Sequence, residues 1–219
     1  KEIQSQVVGA QLGQDAIQTS LLAGAIGFAL VVIFMLIFYR LPGVAASIAL
    51  VFYLGLMLVA LNGLNITLTL PGVAGIILNI GMAVDANVII FTRIKEELAK
   101  GKSVQTSIKL GFEKALSAII DGNVTTLIAA FVLYIKGSGT IRGFATTLAL
   151  GIILSMFTAL YVTKYILKAM YSLGVDDVKY FGVEKPRRQI KFVQNRVKFF
   201  VISGVLILAC VVCLIVNKA

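Results

Sequence analysis

Histidine and tryptophan are missing from this chain of 219 residues, proline occurs three times and cysteine twice. Without an imidazole there can be no His-ligated metal site and no Ser-His-Asp triad. Cys210 and Cys213 lie three apart in an apolar run with no nearby metal-ligand partners, so they read as small hydrophobes without a redox signal. Charge is scarce as well. Charged residues make up 14% of the chain, where a soluble domain carries about 25%. No metal, cofactor or enzymatic chemistry is therefore expected.

Apolar residues fill the space that charge leaves. They make up 59% of the chain, and mean hydropathy is +0.97. About 20 consecutive apolar residues span a bilayer, and six runs qualify: about Thr19–Tyr39, Gly43–Leu61, Pro71–Arg93, Leu116–Ile135, Gly143–Lys164 and Phe199–Val216. The fold class expected is an all-α, polytopic membrane bundle of about six helices. Between the third and fourth runs, Arg93–Ala115 is too polar to span. Gly101 breaks it, Ser103 can cap a new helix, and Val104, Ile108 and Ala115 recur at helical spacing. That stretch reads as an interfacial elbow helix.

Lys and Arg orient the runs. Arg40, the six basic residues of Arg93–Lys114 and the nine of Lys164–Lys198 fall on one side of an alternating topology. Lys1, Lys136, Arg142 and Lys218 fall on the other. The basic side is then cytoplasmic, and both termini are extracytoplasmic. The net charge of +10 follows from this topology and from contact with anionic lipid, so nucleic acid is not required as a partner. The chain divides into an extracytoplasmic lead (1–18), a five-helix bundle (19–170), a basic cytoplasmic linker (171–198) and the first helix of a further unit (199–219). Lys1 is not an initiator Met, and a polar lead precedes the first run, so the chain reads as a piece of something longer.

Asp85 stands in the middle of the third apolar run. A carboxylate there costs about 2.5–3.5 kcal/mol on insertion scales, and such residues are functional by default. Desolvation favours its neutral form, so an Asp that alternates between charged and neutral states suits a proton-driven machine. The plainer reading is an Asp that glues helices together. Gly81, four residues earlier, leaves room on the carboxylate's own face. Gly75, Asn79, Ala83 and Asn87 form a ridge on a displaced face. Asp121 and Thr125 share a face at the start of the fourth run, followed by Thr126 and preceded by Asn123. Asp121 either takes part in proton movement or caps the helix. In the fifth run Gly143, Thr147, Gly151, Ser155, Ala159 and Thr163 make an unbroken small-residue ridge, which lets helices approach closely in a membrane. That face packs, and in a working cycle it could also slide.

Several ordered motifs carry a resemblance. They are Leu12-Gly-Gln-Asp15, Leu70-Pro-Gly-Val-Ala-Gly-Ile76, Gly81-Met-Ala-Val-Asp-Ala-Asn-Val88, Phe91-Thr-Arg-Ile-Lys-Glu-Glu97, Asp121-Gly-Asn-Val-Thr-Thr126 and Gly143-Phe-Ala-Thr-Thr-Leu148, followed by Ser155 and Phe157-Thr-Ala159. Together, over about Gln11–Leu173, this stretch resembles the SecD family of the RND superfamily. The tail from Arg188 to Ser203 resembles the opening of SecF, which implies a fused SecDF chain. The resemblance implies an RND-type bundle and makes Asp85 a proton-pathway residue. Asp121, Asn123, Thr125 and Thr126 map onto a second family motif, with Gly122 departing from Ala. It further implies a proton-motive-force-driven accessory subunit of the Sec translocase in the bacterial plasma membrane. Its partners would be a SecF-like half, the SecYEG channel, exported polypeptides and lipids. Alternatives are an RND-type small-molecule or lipid exporter, a scaffold for translocase assembly, and an intramembrane aspartyl protease. A protease dyad needs two adjacent carboxylates, whereas Asp121 is expected near a membrane boundary and Asp85 at mid-membrane.

Overall fold

The computed structural model describes residues 10–66, 68–174, 177–182, 199–201 and 203–204, with side chains from residue 16 onward. Residues 1–183 form one compact unit and residues 184–219 another. The described part of the second is the short helical stretch 199–201 and 203–204. Most of the sixth expected helix, with Cys210 and Cys213, lies outside the described residues.

The first unit is built from α1 (Ala10–Tyr39), α2 (Leu41–Gly63), α3 (Leu70–Ala99), α4 (Val104–Lys136), α5 (Thr140–Phe157) and α6 (Thr163–Ser172). A single π turn, Thr158–Val162, joins α5 to α6 and makes one rod of them. Among the described residues there is no strand, and five helical rods are long and apolar enough to cross a membrane. Their outer faces are apolar. Leu58 is 67% exposed and Val59 70%, a display that water would not tolerate over so many neighbouring side chains and that lipid favours.

Each helix begins for a local reason. Arg40 adopts a positive φ of 51° between α1 and α2, and Pro42 then occupies the first turn of α2, where its missing N–H costs nothing. Thr69 caps α3 by accepting from the Gly72 N–H, and Pro71 again sits in the first turn. Ser103 caps α4 by accepting from the Thr106 N–H, as its position in the sequence suggested.

The separate elbow helix is not present. α3 runs on to Ala99, a turn of four residues follows, and α4 runs unbroken from Val104 to Lys136. Helices of 30 and 33 residues are about 45 and 50 Å long, well beyond a hydrocarbon core of about 30 Å. The polar segment therefore projects as helix ends rather than lying flat. Buried residues run down α4 from Val104 through Ser107, Ile108, Gly111 and Phe112 to Ala115 and Ile119, so this end is packed and has no reason to bend away.

The centre of the unit is the contact between α3 and α5. The expected small-residue ridge is buried from Thr147 to Thr163, with Gly143 half-buried at its start. Side chains of α3 fill it. A Cβ at Gly75 would press on the Thr147 hydroxyl, and one at Gly151 would collide with the Asn79 amide. In the space so cleared, the Asn79 Nδ2 donates to the Thr147 carbonyl at 3.0 Å. One hydrogen bond inside the membrane and two glycines thus set how near the helices come.

Gly151→Leu is expected to lower stability by about 1–3 kcal/mol through overpacking, while Ile153→Leu, on an exposed face, stays within about 0.5 kcal/mol of wild type. Thermal unfolding in detergent measures both. Equal effects would show that the ridge does not control packing.

Candidate functional site

Asp85 is the sixteenth of the thirty residues of α3, and its side chain is exposed. It belongs to an uncovered stripe with Ala74, Leu78, Gly81 and Thr92, while Asn79, Ala83 and Asn87 face the core. One helix therefore presents its ridge inward and its carboxylate outward. Gly81 is also exposed, with open space where a Cβ would stand, so the helix face one turn before Asp85 is uncrowded.

Asp121 is placed differently from expectation. It is the eighteenth of the thirty-three residues of α4 and caps nothing, because the cap is Ser103. Its side chain is exposed and accepts from the Ser117 hydroxyl at 3.2 Å. α3 starts, and α4 ends, at the end of the bundle opposite the basic turn. Asp85 and Asp121 each lie fifteen residues from that end, about 22 Å along the helix axis. Both carboxylates thus stand at a similar level, and the objection to a dyad drawn from unequal depth does not hold. Both carboxylates remain open to the outside of the unit.

Around Asp121 the helix satisfies its own polar groups. Asn123 donates to the Ile119 carbonyl, Thr125 to that of Asp121 and Thr126 to that of Gly122. Such back-bonding takes carbonyls four residues earlier as partners and loosens or bends a helix. On α5, Ser155 donates to the Ile152 carbonyl, Thr158 to those of Leu154 and Ser155, and Thr163 to that of Thr158 five residues back. These bonds bracket the π turn, a form that occurs mostly as single turns within α-helices and often at functional sites. Asn87 donates to the Ala83 carbonyl. The Oδ1 atoms of Asn79 and Asn87, like the Tyr53 hydroxyl, are buried without a hydrogen-bond partner. Among the described residues no cluster suited to a metal ion occurs.

The family description "Protein export membrane protein SecD/SecF, C-terminal" matches residues 1–173. The chain belongs to the SecD/SecF family. Protein translocase subunit SecD of Acidaminococcus fermentans is 56% identical over 168 residues, covering 77% of this chain and 40% of that protein. Protein translocase subunit SecDF of Bacillus subtilis is 40% identical over 233 residues, covering 98% of this chain and 32% of that one. The crystal structure of SecDF from Thermus thermophilus, a translocon-associated membrane protein, matches with a TM-score of 0.79 and 35% identity over 93% of this chain and 28% of its own. The chain spans less than half the length of each of these relatives.

One feature of this SecD/SecF-family bundle escaped the sequence reading. Glu97, near the end of α3, is fully buried. Its Oε1 accepts from Lys100 and Lys114 at 2.7 Å, and its Oε2 from Lys102 at 2.5 Å. The four side chains tie α3, the turn and α4 together. Glu97 lies beyond the apolar stretch, in the projecting end of its helix. The Lys100 ammonium first, then those of Lys102 and Lys114, hold its carboxyl well below the usual carboxylate range, against the opposing effect of burial. Lysines three and five residues after a glutamate were a visible signal, but Lys114 is brought in only by the α3–α4 hairpin. Nearby, Lys95 donates to the Phe38 carbonyl and lies over the Tyr39 ring, and Arg40 donates to the Lys179 carbonyl.

A carboxyl with a depressed folded pKa contributes stability that is complete above its unfolded value and lost as pH falls through the folded one. Glu97→Gln should therefore melt below wild type at pH 7. The gap should persist at pH 4.5, the ordinary value, and close only in more acidic solution. A gap that closes between pH 7 and 5 would contradict the network.

Proposed function

We propose that this chain is the SecD-type membrane half of a proton-motive-force-driven accessory subunit of the Sec translocase. In this reading it helps exported polypeptides leave the SecYEG channel across the bacterial plasma membrane. The observation that carries it is Asp85, displayed halfway along an apolar helix on an uncovered face, while the opposite face of that helix is locked into α5. Family membership supports the transport role. The match of the Bacillus subtilis SecDF along nearly all of this chain supports reading 199–219 as the opening of a SecF-like half.

Covering the Asp85 stripe with helices of that half would take the carboxylate from the lipid-facing side of the bundle into a seam between the two halves. There, gain or loss of a proton changes the stability of the closed seam, because a buried charge is costly and a buried neutral acid is not. Each charge crossing the membrane supplies about 2.3 kcal/mol per 100 mV, enough to bias a two-state element. Asp121, at a similar level, would be a second station, and the back-bonded turns near Asp121 and Thr158 are where the helices would yield. Asn79, Thr147, Gly151 and Ser155 keep α3 and α5 together as one body. The basic end faces the cytoplasm, and the relatives' names identify translocase subunits rather than catalysts. No catalytic residue is assigned.

In membrane vesicles of the intact protein, Asp85→Asn is expected to abolish gradient-stimulated export of a presecretory protein while leaving abundance unchanged, because Asn keeps the shape but cannot exchange a proton. Full stimulation in that variant would remove Asp85 from the proton pathway. For orientation, a cysteine replacing Lys109 should label only from the cytoplasm and one replacing Asn65 only from outside. Labelling of position 109 from outside would invert the topology.

A further inference from the structure

Two adjoining cavities lie at the basic end of the bundle, between the first turns of α4 and the rod formed by the π turn and α6. The larger has a volume of about 730 Å³ and is bordered by Lys109, Glu113, Lys164, Lys168 and Tyr171. The smaller, about 260 Å³, shares Glu113, Lys164 and Lys168 and continues past Phe112, Leu116, Leu160 and Tyr161. Together they form a groove with a cationic mouth and an apolar floor.

Its charge is unbalanced. Three lysines face a single carboxylate, Glu113. Lys164 and Lys168 are four apart on one helix, an arrangement that is mutually repulsive by a few tenths of a kcal/mol unless an anion sits between them. Among the described residues, Lys109 and Lys168 have no ion-pair partner and both are exposed. Lys164 is positioned over the Phe112 ring, 5.6 Å from its centre, at the seam between the two cavities. The level matters as much as the sign. Lys164 is one turn from Leu160 and Tyr161, and Lys109 is seven residues, about 10 Å, before Leu116. Lys164 thus stands where the apolar surface gives way to charge, within the headgroup layer that adds about 5–8 Å to each side of a hydrocarbon core. Lys109 and Lys168, each seven residues from that boundary, stand at the outer edge of the layer, where their long side chains reach a phosphate.

We infer that this groove binds one anionic glycerophospholipid, its phosphate held by Lys109, Lys164 and Lys168 and the start of an acyl chain laid along Leu116, Leu160 and Tyr161. Basic pockets between transmembrane helices select lipid headgroups in this way. The apolar floor distinguishes a lipid from a soluble phosphate, which would have no use for it. The inference rests on the basic end lying at a membrane surface and is independent of any role of Asp85.

Native mass spectrometry of the intact protein in detergent tests it, with phosphatidylglycerol, cardiolipin or phosphatidylcholine added. One phosphatidylglycerol or cardiolipin should be retained per chain, phosphatidylcholine should not, and millimolar inorganic phosphate should leave retention unchanged. Lys109→Gln combined with Lys168→Gln should reduce retention roughly ten-fold or more. The corresponding double Arg variant should keep it, and so should Lys136→Gln at the opposite end. Equal retention of phosphatidylcholine, full retention by the double Gln variant, or loss in the double Arg variant would overturn the assignment. Displacement by inorganic phosphate would show a phosphate site instead. Disulfide capture of a cysteine at position 109 by one in segment 183–198 would show that the chain itself fills the groove.

Discussion

The close approach of α3 to α5 is the constraint on which the rest of the unit depends. In a bilayer, apolar side chains gain little by leaving lipid for one another, so helices hold together through intimate contact and buried hydrogen bonds. Here Gly75 and Gly151 remove the bulk, and Asn79 donates to the Thr147 carbonyl across the gap. Adding even one methyl at Gly151 would displace the amide that makes the bond. The contact also sets the rotation of α3. With Asn79, Ala83 and Asn87 turned inward, Asp85 is turned out, and the carboxylate takes its direction from a ridge it does not touch.

Two kinds of polar burial follow, at different levels. Along the membrane-spanning part, amides and hydroxyls are buried and mostly bonded to their own helix, as for Asn87, Ser155 and Thr158. These groups make no demand on neighbours for charge, and they soften the backbone at the π turn. At the basic end a charge is buried, and three lysines surround it. Removing one partner from such a cluster costs more than the cluster contributes, because an ion is left without compensation. That end is therefore stiff, with α3 and α4 clamped at Glu97 and α1 held by Lys95 through the Phe38 carbonyl and the Tyr39 ring. The proposed proton coupling needs such a division: a rigid end, a rigid α3–α5 body, and local weak points, one near Asp121 halfway along α4 and one at the π turn closer to the basic end.

The apolar part of α4 and most of α1 offer little buried surface, whereas α2, α3 and α5 bury much of theirs. Asp85 and Asp121 both belong to exposed stripes. An exposed carboxylate at the level of the hydrocarbon core is expensive in lipid and far less so against a helix that carries a complementary group. Under the proposed function, such exposed stripes are the surface that a SecF-like half would cover.

The sequence by itself determined that five stretches of the described chain are membrane-length helices, because apolar runs of that length have no other solution that satisfies the backbone. It also determined the small-residue ridge of the fifth helix, since spacing by four places residues on one face whatever surrounds them. The family could be read from motif order alone. Three things were left to the tertiary structure. The elbow helix merged into α4 because residues 104–119 find a packed neighbour in α3, and packing outweighs the polarity that suggested a surface helix. Asp121 moved to mid-helix for the same reason, once the helix began at Val104. Glu97 emerged as a buried anion only when the α3–α4 turn brought Lys114 to it from seventeen residues away. Helix content follows from local chemistry, whereas depth, exposure and charge pairing depend on which helices lie side by side.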